Sequence, residues 1–279
     1  MKLLLFSSVA AEQNLDDSES LQKAMKRLQL SAGIFLQLKD SVVGLIQQDP
    51  TPDLDPETLG VLAELMLAQA QEMVVTKAIK DRMKPGIVAK LCSQCEELYA
   101  GVMRSMQREA VRNIWDGSWL PNVCGKQALY NGLAQFHQGR LCKESKSVGE
   151  EIARLEYAKT LFAAAVDRSS NSDLCKVKDW IHQNEKALTE AKKDNDFIYH
   201  EAVPEIKSLP QIAKAVVAKA TAPLPMKYGL EASKVSALKT LFRCIFVYPW
   251  RQYFRIFLRS YVLSPFIRHY QRMMVVAKN

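Results

Sequence analysis

The stretch IKDRMKPGIVAKL, residues 79–91, decides how this chain is built. An apolar pattern of helical period runs up to Lys80, Lys84-Pro85-Gly86 interrupts it, and it resumes through Ile87, Val88, Leu91, Leu98 and Val102. Two helices joined by so few residues lie antiparallel, so the stretch is the turn of a helical hairpin.

The same logic extends in both directions. Upstream, Leu21, Met25, Leu28, Ala32, Phe35 and Leu38 repeat at three and four residues and predict a helix over about 20–48. QQDPTPDLDPET then breaks the chain. Asp55-Pro56-Glu57 restarts it with an N-cap acceptor, a proline in the first helical position and an acid near the positive helix end, which predicts a helix over about 56–80. Downstream, DGSWLPN reads as a loop before a helix over about 123–143. The next helix, over about 147–166, opens with a capping box from Ser147 to Glu150, and a last one spans about 173–193. Eleven Gly and eleven Pro are few for 279 residues, and strand-like alternation is scarce. The fold class is therefore all-α. Irregular loops and the lack of a 34-residue repeat argue against regular tetratricopeptide units, and a solenoid-like stack of antiparallel helix pairs is favoured over a closed bundle as the way to bury these stripes.

Hydrophobic residues make up 48% of the chain, ample for a buried core. The net charge of +8 is local. Nine of the 38 basic residues fall from Ala232 onward with no acid among them, so 29 basic residues face 30 acidic ones in the rest of the chain. A nucleic-acid groove in the body is unsupported by that balance, and no nucleic-acid partner is expected. Of six cysteines only Cys92 and Cys95 are spaced CxxC, with no second pair to complete a zinc set, so they read as buried reduced thiols and the compartment as cytosolic. The apolar run in MKLLLF is too short for a signal peptide. His137, His182, His200 and His269 stand apart from any catalytic or metal motif, and Asp194-Asn195-Asp196 lacks the glycine and terminal glutamate of a calcium loop. No enzyme, cofactor or metal is implied.

One segment, AKKDNDFIYHEAVPEI (residues 191–206), runs from a lysine-rich helix end through an acidic, amide-rich turn into Phe197-Ile198-Tyr199 and a proline. With AAEQNLDD (10–17), MLAQAQE (66–72) and GEEIARL (149–155), at consistent spacing and in order, it resembles the Bro1 domain family. The resemblance covers roughly residues 6–225. It implies a curved, helix-rich domain with tetratricopeptide-like pairs at its centre. It also implies a non-enzymatic adaptor that binds the C-terminal amphipathic helix of an ESCRT-III subunit, recruited from the cytoplasm to endosomal membranes.

The residues are compatible with that role, because a partner helix is read by apolar anchors lying in a groove between two helices. Positions matching the family's ESCRT-III contacts are Lys26, Lys77, Met83, Ile87 and Leu91. Val74 stands where relatives carry an aromatic anchor, Ser18 where they carry an acid and Gln22 where they carry a lysine, which implies a shallower patch with part of its polar fringe missing. On spacing alone, Ile87 and Leu91 are core residues and Lys26 and Lys77 solvated lysines. The resemblance further implies a kinase target and SH2-type docking site at Tyr199. The residues themselves read more simply, with Phe197 and Ile198 as packing anchors and Tyr199 as a buried amphipathic side chain.

Compared with complete domains of this family, the sequence starts inside the domain, which implies a partly exposed apolar stripe from Leu21 to Leu38. A partial domain over 1–229 is followed by a divergent tail over 230–279. Arg243, Arg251, Arg255, Arg259, Arg268 and Arg272 alternate there with aromatic and aliphatic residues, while Pro249 and Pro265 divide it into pieces too short and charged to span a bilayer. Peripheral contact with an anionic membrane, base stacking, and sequence never selected to fold all fit that composition.

Overall fold

The computed structural model describes residues 18–45, 52, 54–168 and 174–222. Among these residues six helices follow one another with no strand: α1 Ser18–Leu45, α2 Pro56–Lys80, α3 Pro85–Met106, α4 Trp119–Glu144, α5 Val148–Arg168 and α6 Leu174–Asp194. A π-helical turn, Asn195–Tyr199, and a 3-10 turn, Ile206–Ser208, complete them. The extensive contacts run α1–α2, α2–α3, α3–α4, α4–α5 and α5–α6, which is the stack of antiparallel pairs the periodicity predicts.

Local chemistry places the helix ends. Asp55 Oδ1 accepts from the Glu57 and Thr58 amides at 2.7 and 3.4 Å, with Pro56 in the first turn, so α2 starts where its sequence demands. It ends in a Schellman turn, the Met83 amide donating to the Ala78 carbonyl at 3.0 Å and the Arg82 amide to Ile79 at 3.1 Å. Pro85 then opens α3, and the hairpin is closed. By length and composition alone α2 would suffice to cross a membrane, but most of that stretch is buried inside the fold, as befits a core helix.

Two local expectations are corrected. Helix α4 begins at Trp119, not after WLPN, because Asp116 Oδ1 accepts from the Ser118 amide and hydroxyl at 2.8 and 2.6 Å and Pro121 falls in the first turn, where no amide hydrogen is needed. The Ser147–Glu150 capping box does not form. Glu150 turns to Arg154 Nε at 2.7 Å, and the free Gly149 amide donates instead to Glu201 Oε2 at 2.8 Å. The α1 stripe is covered in part: Leu21, Ala24, Leu28 and Ala32 are buried where α1 packs on α2, while Met25, Phe35 and Leu38 stay half-buried. The tail over 230–279 and the 229/230 boundary lie outside the described residues, as do MKLLLF and the AAEQNLDD stretch.

Two polar clusters, one around half-buried Glu72 and one around buried Arg154, tie the layers together. Glu72 of α2 accepts from Lys126 Nζ of α4 at 2.8 and 3.0 Å and from the Tyr99 hydroxyl of α3, beneath the stacked Tyr99 and Tyr130 rings. Burial pushes the Glu72 carboxyl up, but the Lys126 charge and the hydrogen bonds from Lys126, Tyr99 and Tyr130 outweigh it and hold the group below its ordinary range. Arg154 of α5, buried, reaches Gln135 Oε1 and the Pro210 carbonyl, both at 3.0 Å.

After α6 the chain returns across the stack as an extended strap, residues 201–222. Pro210 meets α5 through Arg154; the Ile212 carbonyl accepts from Ser93 Oγ at 3.2 Å and the Ala215 amide donates to Lys90 O at 3.1 Å on α3. Ala215 and Ala218 meet Gln71 of α2, and the Thr221 amide donates to Gln29 O of α1 at 3.0 Å. The strap lies so close to α1 that a Cβ at Gly33 would fall 1.9 Å from Thr221 O.

Candidate functional site

The α2–α3 hairpin carries the residues singled out from sequence. Lys77, one turn from the end of α2, donates to Ser18 Oγ at 2.6 Å and pairs with Asp81 Oδ2 at 2.5 Å, while Ser18 Oγ donates to Asp81 Oδ1 at 3.2 Å. The hydrogen bond from Lys77 is the main reason the Asp81 carboxyl sits below its usual range. This triad joins the start of α1 to the end of α2. Since Ser18 is uncharged, Lys77 and Asp81 leave it neutral, where an acid at position 18 would leave it anionic.

Beside the triad the hairpin shows apolar surface. Met83 is 46% exposed and Ile87 43% exposed, far more than the long apolar side chains of a well-packed turn retain. Val74 is half-buried against the core, and Lys26 is exposed on α1. Leu91, one turn beyond Ile87, is only 5% exposed and belongs to the core, its carbonyl held by Gln71 Nε2 at 3.2 Å. The structure thus brings Met83 and Ile87 together at the surface, with Lys77 close by, and sets Leu91 beneath them.

The Phe197-Ile198-Tyr199 segment is placed differently from the packing reading. Phe197 is 77%, Ile198 65% and Tyr199 40% exposed. The buried residue of the turn is Asn195, whose side chain donates to Glu201 O and accepts from the Glu201 amide, both at 2.9 Å. These two bonds bend the chain so that Glu201 caps α5 and the following residues, not the aromatic pair, pack back along the stack.

Sequence reasoning missed Gln71 and Asp81. Asp81 was detectable as the i+4 partner of Lys77, and Gln71 as an amide inside an otherwise apolar helical pattern. Cys92 and Cys95 are fully buried, and burial raises both thiols, as reduced core cysteines require. Among the described residues no group of three or more His, Cys, Asp or Glu is arranged to hold a metal.

A sequential stack of six antiparallel helices crossed by a returning strap defines a helical-array scaffold domain. The family model for the BRO1-like domain matches residues 4–256, and the chain belongs to that family. "Apoptosis-linked gene 2-interacting protein X 1" of Caenorhabditis elegans is 41% identical over 229 residues, covering 82% of this chain and 26% of the relative. "Vacuolar protein-sorting protein bro1" of Aspergillus fumigatus is 34% identical over 233 residues, covering 83% and 23%. A solved structure described as the "ALIX BRO1 CHMP4C complex" is 38% identical with a TM-score of 0.74, covering 81% of this chain and 62% of that one. The chain spans about a quarter of the length of these curated relatives.

Proposed function

We propose that this chain is a non-enzymatic adaptor of the ESCRT pathway that binds the C-terminal amphipathic helix of an ESCRT-III subunit at the α2–α3 hairpin. The observation that carries the reading is the exposure of Met83 and Ile87 beside the Lys77–Ser18–Asp81 triad. An amphipathic helix laid there covers the two side chains with its apolar face and meets Lys77 and Lys26 with its acidic edge. Val74 widens the apolar floor on α2, and Leu91 supports Ile87 from below. The solved relative described as a complex with CHMP4C supports this choice of partner. Recruitment from the cytoplasm to endosomal membranes follows from that partner, and the exposed Tyr199 is open to a kinase and then to an SH2-type module.

The test is titration of a labelled ESCRT-III C-terminal helix peptide against the full chain and its Ile87→Asp variant. The expected result is micromolar binding that the charge abolishes at unchanged helical content. Equal binding by both proteins would place the partner elsewhere.

A further inference from the structure

The hydroxyl of Ser18 sits between two charges. Ser31, Ser41, Thr76 and Thr189 each donate to the carbonyl four residues back in their own helix. Ser18 Oγ instead accepts from the Lys77 ammonium at 2.6 Å and donates to Asp81 Oδ1 at 3.2 Å, while Lys77 also pairs with Asp81 Oδ2. A hydroxyl held between an ammonium and a carboxylate is a position where added negative charge redraws the pairing.

The surroundings of Ser18 suit a kinase. Ser18 is the first residue of α1 and is only half-buried, and its neighbour Asp81 is exposed. Presenting it to an active site therefore disturbs the end of a helix, where the backbone frays most readily. Glu12, Asp16, Asp17 and Glu19 lie within six residues of it, and no Lys or Arg falls between positions 12 and 22. Such a run complements the basic substrate cleft of an acid-directed serine kinase and repels the acidic cleft of a basophilic one.

We propose that Ser18 is a phosphorylation site that weakens the helix-binding edge of the α2–α3 hairpin, an inference that rests on the peptide reading above. Ser18 Oγ attacks the γ-phosphorus of ATP, the bond from that phosphorus to the β,γ-bridging oxygen breaks, ADP leaves, and the hydroxyl proton passes to the kinase's catalytic carboxylate. The product carries about −1.5 to −2 charges and has no hydroxyl hydrogen to give to Asp81. Asp81 is then repelled, and Lys77 turns to the phosphate oxygens. The triad, neutral before, becomes an edge of about −2 beside Met83 and Ile87. The acidic edge of the partner helix, which Lys77 meets in the unmodified chain, now faces like charge.

The experiment treats the full chain with ATP and an acid-directed serine kinase and maps the phosphate by mass spectrometry. The ESCRT-III helix peptide is then titrated against the parent, the phosphorylated chain and Ile87→Asp. The expected result is phosphate on Ser18 and binding about tenfold weaker than the parent's at low salt, a difference that shrinks as salt screens it and disappears on phosphatase treatment. Asp16→Asn/Asp17→Asn takes up less phosphate and, unmodified, binds as the parent does. A chain made with phosphoserine at position 18 shows the same weakening without any kinase. Absence of phosphate from Ser18 overturns the site. Parental or tighter binding by the phosphorylated chain, at unchanged helical content, overturns the switch while Ile87→Asp still loses the peptide and the groove reading stands. Loss of helical content on phosphorylation also overturns it, because the phosphate then acts by unfolding α1. Equal binding by the parent and Ile87→Asp overturns the groove reading and the switch with it.

Discussion

Replacing Gln71 with leucine tests whether one buried amide holds the strap to the stack. Gln71 is fully buried; its Nε2 donates to Leu91 O at 3.2 Å and Ala215 O at 3.1 Å, and its Oε1 accepts from the Ala218 amide at 3.1 Å. Leucine fills nearly the same volume, so little cavity is created. The Leu91 carbonyl lies inside α3 and keeps its helical partner. The Ala218 amide and the Ala215 carbonyl, however, lose their partner in a buried site. At about 1–3 kcal/mol per stranded group the variant is destabilised by about 2–6 kcal/mol, or roughly 4–24 °C for a domain of this size. Urea unfolding followed by circular dichroism measures the total, and amide exchange over residues 212–221 shows whether the strap lets go before the helices do. Gln71→Glu keeps the acceptor for Ala218 but loses both donors, and its strap exchanges faster than the parent's. A leucine variant within about 0.5 kcal/mol of the parent, with unchanged exchange over 212–221, would refute the reasoning and leave the strap held by its outer contacts, Ser93 to Ile212 and Lys214 to Glu97.

Three further outcomes follow from the geometry. Gly149→Ala puts a Cβ 2.4 Å from Ala202 O, which pushes the strap off α5 and breaks the Glu201 cap, so melting should show a loss of about 1–3 kcal/mol; Gly101→Ala, in open space on α3, should instead gain about 0.5–1 kcal/mol. Burial, assisted by the Arg140 charge, lowers the His137 pKa from 6.5 to about 4, so the folded chain refuses a proton that the unfolded chain accepts. The stability this preserves is complete above about pH 6.5 and drains as the pH falls towards 4, by up to about 3 kcal/mol; in His137→Phe that segment of the melting-temperature profile should flatten. Val74→Phe adds an anchor of about 50–80 Å² to the groove, about 1–2 kcal/mol, and should tighten the ESCRT-III peptide roughly 5- to 30-fold; unchanged affinity would mean the partner helix does not pass Val74.

The legible part of this fold is the part dictated within a few residues. Asp55-Pro56-Glu57 fixed the start of α2 to the residue, because the cap, the proline and the acid act on the same helical turn. The hairpin followed from Lys84-Pro85-Gly86 in the same way. What escaped were contacts whose partners lie far apart in sequence. Glu150 had a cap position in reach and took Arg154 instead, because Glu201, 52 residues downstream of Gly149, supplied the cap. Phe197 and Ile198 read as anchors because large apolar residues usually are, and only the Asn195–Glu201 bonds turn them outward. Within the site, the helical spacing of Ile87 and Leu91 was visible, but their separation into surface and core depends on the angle at which α3 meets α2, which no local pattern encodes.

Gln71 also bears on the groove, although it lies outside it. It sits one turn from Val74 on the helix that forms one wall and grips the carbonyl of Leu91 on the helix that forms the other, while its remaining bonds go to the strap. The spacing of the two walls and the seating of the strap are therefore set by the same side chain. If the groove tolerated loose walls, Gln71→Leu would cost stability and leave peptide affinity alone. Because apolar recognition is steep in contact distance, a wall that relaxes forfeits dispersion contact along the whole partner helix. The Gln71→Leu variant should accordingly bind the ESCRT-III peptide more weakly even under conditions where it is fully folded, with the loss carried by faster dissociation. An unchanged dissociation rate in a strap-released protein would show that α2 and α3 hold their spacing through the Glu72–Lys126–Tyr99 network alone.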